Sequence, residues 1–363
     1  MPTIDDLPTP ALVLDLDKLE NNIATMASKC ELLGVALRPH IKTHKCVEIG
    51  RIQIAHGARG ITVATLYEAK RFAEAGFDDI TWAFPIPLSR IEEAVDLGER
   101  ITLRVIVDSE RAIDELERRS ATLDVLLKID CGYHRAGVEP SDPLAASLAR
   151  RLAESPSLRF DGLLTHSGQA YSACGSDELA QIAELERRIM AEFAGELRAE
   201  GIDVPTVSVG STPAMSAVLT LDGVNEARPG NYVFFDHMQT RIGSCRVADC
   251  ALTIVASAVS AGRNHTILDA GALALSKDSG RSDVSRPNFG CGFHSYENAA
   301  LDPRLRVVSL SQEHGWLTGS HAVGTRFRIL PQHSCMTAAL FDEYVVVRGE
   351  EVVDRWPILR GRD

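Results

Sequence analysis

The sequence predicts an α/β protein. Residues 17–240 read as a closed (β/α)8 barrel of the TIM type, and residues 241–363 as a second, mostly β domain that residues 1–16 join. Three observations carry this expectation. Between residues 36 and 236, eight short apolar runs alternate with stretches of helical period, the mark of a parallel sheet closed by βα units. Beyond about residue 240 the apolar runs recur without long helices between them. At 363 residues and 45% hydrophobic content, the chain can bury a barrel and an appendage. An open doubly wound sheet is the alternative. No Gly-x-Gly-x-x-Gly follows the first strand, which weakens a dinucleotide site.

Taken in order, residues 11–17 read as a strand and 18–33 as a helix, with Leu19, Ile23, Met26 and Leu33 turned inward. Residues 36–45 form the first barrel strand and 46–56 a helix. Strand–helix pairs follow at 61–66 and 67–75, 79–84 and 90–98, 101–107 and 110–119, 123–130 and 143–153, and 158–165 and 177–200. The seventh strand is 207–210, with a short helix from Ala214, and 232–236 is the eighth. Strands of the β domain are expected at 251–261, 265–269, 305–310, 326–330 and 343–347. The polar, aperiodic stretch 277–298 reads as a lid or a partner contact.

A net charge of −12 argues against a nucleic-acid or anionic-membrane surface, so any anionic ligand needs a local positive pocket. The amino terminus, Met-Pro-Thr-Ile-Asp-Asp, lacks the basic-then-apolar pattern of a secretory signal, and no apolar stretch is long enough to span a membrane. The eight cysteines are scattered without a Cys-x-x-Cys pair, which suits free thiols in a reducing cytoplasm.

The chemistry centres on residues 36–45, Ala-Leu-Arg-Pro-His-Ile-Lys-Thr-His-Lys. On a strand, Arg38, His40 and Lys42 share one face. Three cations on a buried face are costly unless they meet an anion. Lys42 falls near the strand's carboxyl end, where barrels keep their chemistry, and a desolvated lysine among cations is suited to a Schiff base. A basic surface turn at a helix start is the plain alternative. Other strand ends repeat the signal. Lys128-Ile-Asp-Cys-Gly-Tyr-His-Arg135 brings Arg135 to a glycine turn, and Thr165-His166-Ser167-Gly168 brings a flat imidazole, with Tyr171 close behind. Gly210-Ser211-Thr212-Pro213 and Pro229-Gly230-Asn231-Tyr232 offer backbone amides and hydroxyls for a phosphate. Near the carboxyl end, His333-Ser334-Cys335 would put an imidazole and a thiolate on one strand face, a donor pair suited to zinc.

Together these residues resemble the fold-type III pyridoxal-phosphate enzymes, in the D-serine dehydratase-like and D-threonine aldolase-like branch. The resemblance runs from about residue 9 to residue 357. It implies that Arg38–Lys45 is the cofactor-lysine motif with Lys42 as the Schiff-base residue, and that Arg135 contacts the pyridoxal ring while His166 packs on it. It further implies that Gly210, Ser211, Thr212, Gly230, Asn231 and Tyr232 hold the phosphate. Gln312-Glu313-His314-Gly315 and His333-Ser334-Cys335 resemble the carboxy-terminal signature, with His333 and Cys335 as metal ligands. The catalytic residues so implied are Lys42, His166 and Tyr171. Gln169-Ala170-Tyr171 departs from relatives, which vary there, so side-chain specificity is left open. The implied activity is a lyase on 3-hydroxy-D-amino acids that needs pyridoxal 5'-phosphate and a divalent metal, zinc before manganese or magnesium. Dehydration of D-serine or D-threo-3-hydroxyaspartate leads, and retro-aldol cleavage is the alternative. A racemase and a non-catalytic cofactor-binding protein are further rivals. The resemblance also implies a homodimer.

Overall fold

A computed structural model describes residues 2–119, 122–280 and 288–362. The chain divides into two compact units. One comprises Met26–Lys42, Gly50–Gly230 and Gly361–Asp363; the other comprises Met1–Thr25, Thr43–Ile49 and Asn231–Arg360.

In chain order the strands are β1 Ala11–Asp15, β2 Ala36–Leu37, β3 Ile61–Val63, β4 Asp79–Pro85, β5 Thr102–Val107, β6 Asp124–Lys128, β7 Arg159–Leu164, β8 Thr206–Val209 and β9 Glu226–Ala227. They continue as β10 Leu252–Ala261, β11 His265–Leu268, β12 Gly290–Ser295, β13 Ala300–Leu310, β14 Gly315–Thr318, β15 Arg326–Pro331, β16 Glu343–Arg348 and β17 Glu351–Pro357. The helices are α1 Leu16–Leu32, α2 Val47–Ala55, α3 Leu66–Glu74, α4 Ile91–Gly98, α5 Glu110–Arg118, α6 Pro143–Glu154, α7 Ser176–Ala199, α8 Thr212–Ala217, α9 His237–Arg241, α10 Ala272–Leu275 and α11 Ser334–Ala338.

The barrel unit is a parallel sheet in the order β2-β9-β8-β7-β6-β5-β4-β3. Its two ends meet. His40 bridges Thr62, the Thr62 amide donates to the Pro39 carbonyl at 2.8 Å, and the Arg59 amide donates to the Leu37 carbonyl at 2.9 Å. Strands such as β6 are buried along their whole length, as parallel strands covered on both faces must be. Ile106, Leu126 and Leu164 form one buried cluster across β5, β6 and β7. Helix starts carry local signals. Thr65 and Glu68 make a capping box on α3, and the Asp142 side chain caps α6 with Pro143 in its first turn.

Towards the amino ends of the barrel strands lies a network of buried and half-buried ions. The Arg38 guanidinium, 1% exposed, donates from Nε to Glu226 Oε2 at 2.6 Å and from Nη1 to Asp79 Oδ1 at 2.7 Å. Arg104 pairs with the same Asp79 and with Asp161 Oδ2 at 2.8 Å. Arg38 therefore links β9 to the start of β4 just where the barrel closes.

The other unit is antiparallel apart from one pair. Its sheet runs β11-β14-β13-β12-β15-β10-β1-β16-β17, and an extra β11–β10 pairing closes six of these strands into a small barrel. Strand β1 pairs antiparallel with β10 and parallel with β16, so the strand near residue 11 belongs to this sheet. Ile4, Leu7, Ala11 and Val13 pack with Val255, Val345, Val347 and Val352. Among the described residues, no helix is long and apolar enough to cross a membrane.

Four sequence expectations are corrected. The strand expected over 36–45 forms a continuous ladder only at Ala36–Leu37, with an isolated bridge at His40, and Ile41–Thr43 is a 3-10 turn. Pro39 has no amide to give, which interrupts the ladder, and the chain turns at Ile41. Arg38, His40 and Lys42 therefore do not line one strand face, and Arg38 is held by carboxylates rather than by a ligand anion. The eighth strand is Glu226–Ala227, not 232–236, which begins as the 3-10 turn Asn231–Val233. His333 is the N-cap of α11 rather than part of a strand. The stretch 277–298 includes strand β12; its residues 281–287 lie outside the described residues.

Replacing Arg38 with Met should lower stability by about 3–5 kcal/mol, because Glu226 and Asp79 lose their buried counter-charge. A urea unfolding midpoint equal to that of the unmodified protein would refute this role.

Candidate active site

The barrel unit gathers four cations, Lys42, Lys128, Arg135 and Arg228, at the carboxyl ends of its strands. Lys42 sits in the 3-10 turn just after β2 and is half-buried; its amide lies 3.4 Å from His40 Nδ1. Lys128 ends β6, is 7% exposed, and donates from Nζ to the Ile129 carbonyl at 3.1 Å. Burial, and then the positive charge of Arg228, push its amine down to about 8. Arg228 follows β9 and is buried; it donates to Ser208 Oγ at 2.5 Å and to the Thr165 carbonyl. Burial pulls its guanidinium down to about 10. Arg135 is exposed, its guanidinium carbon 4.9 Å from the centre of the Tyr133 ring.

His166 stands among them after β7. Its Nδ1 is 3.4 Å from the Gly210 carbonyl, and its ring lies 6.2 Å from that of Tyr133 and 6.5 Å from that of Tyr171. Burial holds the imidazole well below its ordinary value, reinforced by the positive charges of Lys42, Lys128, Arg135 and Arg228. A neutral ring in a strongly positive field suits contact with a flat anion.

The turn after β8 supplies hydroxyls. Gly210 has φ +111°, a left-handed value that other residues rarely adopt. Ser211 is buried, accepts from the Ala214 amide at 3.3 Å as cap of α8, and lies 3.3 Å from Ser167 Oγ. Thr212 is buried beside it. The Arg228 Nε is buried with no hydrogen-bond partner among the described residues. Four cations, two hydroxyls and this unused donor fit an anionic phosphate cofactor. Gly230 is buried at the end of the β9 turn.

The β unit holds a separate group. His333 Nδ1 lies 2.6 Å from Asp278 Oδ2, and the His333 side chain also bonds Cys335. Cys335 Sγ is 3.2 Å from Asn231 Nδ2 and 3.4 Å from Thr43 Oγ1. Burial alone would raise this thiol, but the His333 contact and charge hold it below its ordinary value. Asn231 also donates to Asp236 Oδ2 at 3.0 Å and to Ser334 Oγ at 2.8 Å, while its own Oδ1 is buried without a partner among the described residues. Tyr232 is buried in the same turn. With Nδ1 on a carboxylate, the imidazole keeps Nε2 for a metal, and the Cys335 sulfur stands beside it. This donor set fits a soft divalent ion such as zinc.

The sequence-derived residues thus fall into two groups. Lys42, Arg135, His166, Tyr171, Gly210, Ser211, Thr212 and Gly230 belong to the barrel unit, and Asn231, Tyr232, His333 and Cys335 to the β unit. The Asn231 amide is engaged with Cys335 and Asp236. Gln312–Gly315 turns β13 into β14, and the carbonyl of Gln312 accepts from Leu273 at 3.1 Å. Arg228 and Asp278 were not singled out from the sequence. Arg228 looked like any charge before a turn, and Asp278 sits in the aperiodic stretch. All eight cysteines are unbridged.

Known proteins resemble this chain over its whole length. The family model described as alanine racemase, N-terminal domain, matches residues 14–238, and a serine dehydratase domain matches 251–347. D-threo-3-hydroxyaspartate dehydratase of Delftia sp. (strain HT23) is 38% identical, with 99% of each chain covered. Its solved structure superposes with a TM-score of 0.94 over 99% of this chain and all of that one, at 37% identity. A cysteine-to-alanine variant of that enzyme is described as metal-free. D-serine dehydratase of Dictyostelium discoideum is 34% identical with 96% of each chain covered, and D-threonine aldolase of Arthrobacter sp. is 30% identical over 96% of this chain and 92% of that one.

In cofactor-free protein, Lys128 should leave a mark on stability against pH. Its folded value near 8 lies below the ordinary 10.5, so between those limits the unfolded chain binds more protons. Its contribution therefore rises as pH climbs through that window. Thermal melts of the wild type should gain on those of Lys128→Met across the window, and parallel curves would contradict the assignment.

Proposed function

Since the chain belongs to the family that joins an alanine racemase N-terminal domain to a serine dehydratase domain, we propose that it is a lyase of 3-hydroxy-D-amino acids dependent on pyridoxal phosphate and a divalent metal. The preferred reaction is dehydration of D-serine or D-threo-3-hydroxyaspartate to a 2-oxo acid and ammonia. The observation that carries this reading is the His333–Cys335 pair braced by Asp278, in a chain most of whose strongest relatives are dehydratases. A D-threo-3-hydroxyaspartate dehydratase with a cysteine replaced by alanine, solved in the metal-free form, is in keeping with a thiol ligand here.

When bound, the cofactor supplies an electron sink and the metal a Lewis acid for the leaving hydroxyl. The protein's own groups do the rest. Lys42 Nζ would tether the cofactor and, as a free amine, would be the base that holds the α-proton. Ser211, Thr212 and the amides of their turn would hold the phosphate, and Arg228 would add positive charge to the same region. His166, kept neutral by its cationic neighbours, offers a flat face without competing for the proton. Arg135 lends positive charge to the same region, and Tyr171 flanks His166. Asp278 holds the His333 Nδ1 proton, so that Nε2 and Cys335 Sγ remain as donors. Zinc is the ion this pair suits best.

A retro-aldol reading has its own support in the aldolase relative. Products separate the two. The dehydratase reading expects oxo acid and ammonia from D-serine and D-threo-3-hydroxyaspartate, with loss on chelation and recovery with zinc. Glycine and an aldehyde without oxo acid would overturn it.

Two substitutions test the residues. Lys42→Ala should abolish the long-wavelength absorbance of lysine-linked cofactor, whereas Lys128→Met should keep it; the reverse pattern would assign the tether to Lys128. Asp278→Asn should weaken zinc binding by about 10–100-fold in a metal titration.

A further inference from the structure

One buried carboxylate in the barrel unit has no place in the chemistry above. Glu186 lies midway along α7, on the face that also buries Leu179, Ala183, Met190, Phe193 and Leu197. It is 2% exposed. A carboxylate in an apolar stripe is costly unless it is fully engaged. Here a single oxygen, Oε1, accepts from two backbone amides, Ser167 at 2.9 Å and Gly210 at 3.2 Å. These amides belong to the turns after β7 and β8. One turn carries His166; the other carries Ser211 and Thr212. The two turns also touch through the Ser167 and Ser211 hydroxyls, and the Gly210 carbonyl faces His166 Nδ1.

We infer that Glu186 is a positioning residue, which clamps the turns after β7 and β8 and so sets His166 and the Ser211–Thr212 hydroxyls in register for an anionic cofactor. This inference rests on the cofactor reading above. Glu186 touches neither substrate nor cofactor; it acts through the backbone of the residues that do. Its carboxyl also acts on Arg228 and Lys128, and on Arg228 it does so together with Glu226. Reach and charge are separable by substitution. Glutamine keeps an acceptor oxygen at the same distance and drops the charge. Aspartate keeps the charge and falls one methylene short of the two amides.

The test measures the dissociation constant of pyridoxal 5'-phosphate from apo wild type, Glu186→Asp, Glu186→Gln and Glu186→Leu, with the visible circular dichroism of bound cofactor and the apo melting temperature. The expected result is a dissociation constant at least about tenfold higher in Glu186→Asp and Glu186→Leu, with altered dichroism. Glu186→Gln should stay within a few-fold of wild type, as rescue by the oxygen that reaches. A carboxylate that merely supports the fold would lower the apo melting temperature while leaving affinity and dichroism of the folded protein unchanged, and that outcome overturns the inference. So does equal loss in the Gln and Asp variants, which would assign the effect to neither reach nor charge alone. If Glu186→Leu does not fold, the Asp and Gln pair still decides. Failure of wild type to bind the cofactor would instead sink the cofactor reading itself, and the inference with it.

Discussion

The buried guanidinium of Arg38 is the constraint on which the barrel depends. It stands between Glu226 and Asp79, which belong to strands distant in the chain, at the seam where β2 meets β9 and β3. A charge removed from water needs partners of good geometry, so β9, β4 and the turn after β2 are fixed together. Gly60 shows how closely, since a Cβ there would lie 2.3 Å from Arg38 Nη1. The next residue, Pro39, interrupts the ladder, and the chain turns at Ile41 into the segment that presents Lys42. The position of the proposed cofactor lysine is thus inherited from an ion pair four residues earlier.

The two ends of the barrel strands treat charge oppositely. Near the amino ends, Arg38 and Arg104 are matched by Asp79, Asp161 and Glu226. Near the carboxyl ends, Lys42, Lys128, Arg135 and Arg228 act on His166; Glu186 opposes Lys128, and Glu226 and Glu186 both oppose Arg228. A chain with net charge −12 therefore builds a local positive excess inside one unit. Such an excess is stable only with an anion to complete it, or with lysine amines that give up their protons, as the depressed Lys128 does.

The β unit repeats one motif with different braces. His333 with Cys335 and His237 with Cys291 are both imidazole–thiol pairs, each sulfur lying near an asparagine amide. His333 Nδ1 rests on a carboxylate, while His237 Nδ1 rests on the Gln332 amide oxygen. A carboxylate makes the opposite nitrogen the better donor to a metal, which separates the two pairs chemically. Only the first is visible as a short sequence spacing; the second joins residues far apart in the chain.

Period and punctuation in the sequence determined the architecture. The alternation of apolar runs and helical stretches is a local property, so the barrel, its helices and the later β domain were legible from residue 36 onward. The Lys42 segment, His166, the Gly210–Thr212 turn and the His-x-Cys spacing were legible for the same reason, as clustered polar residues at strand ends. What each side chain meets was decided by the tertiary structure. Arg38 looked like a ligand for an anion until closure of the barrel brought Glu226 and Asp79 to it. His333 and Cys335 are neighbours through a helix cap rather than a strand face, and Asp278 reaches them from an aperiodic stretch. Glu186 was one more acid in a long helix until two backbone amides from separate turns converged on it. Periodicity is written between neighbours in the chain, whereas a buried charge is defined by groups that only folding brings within 3 Å or so.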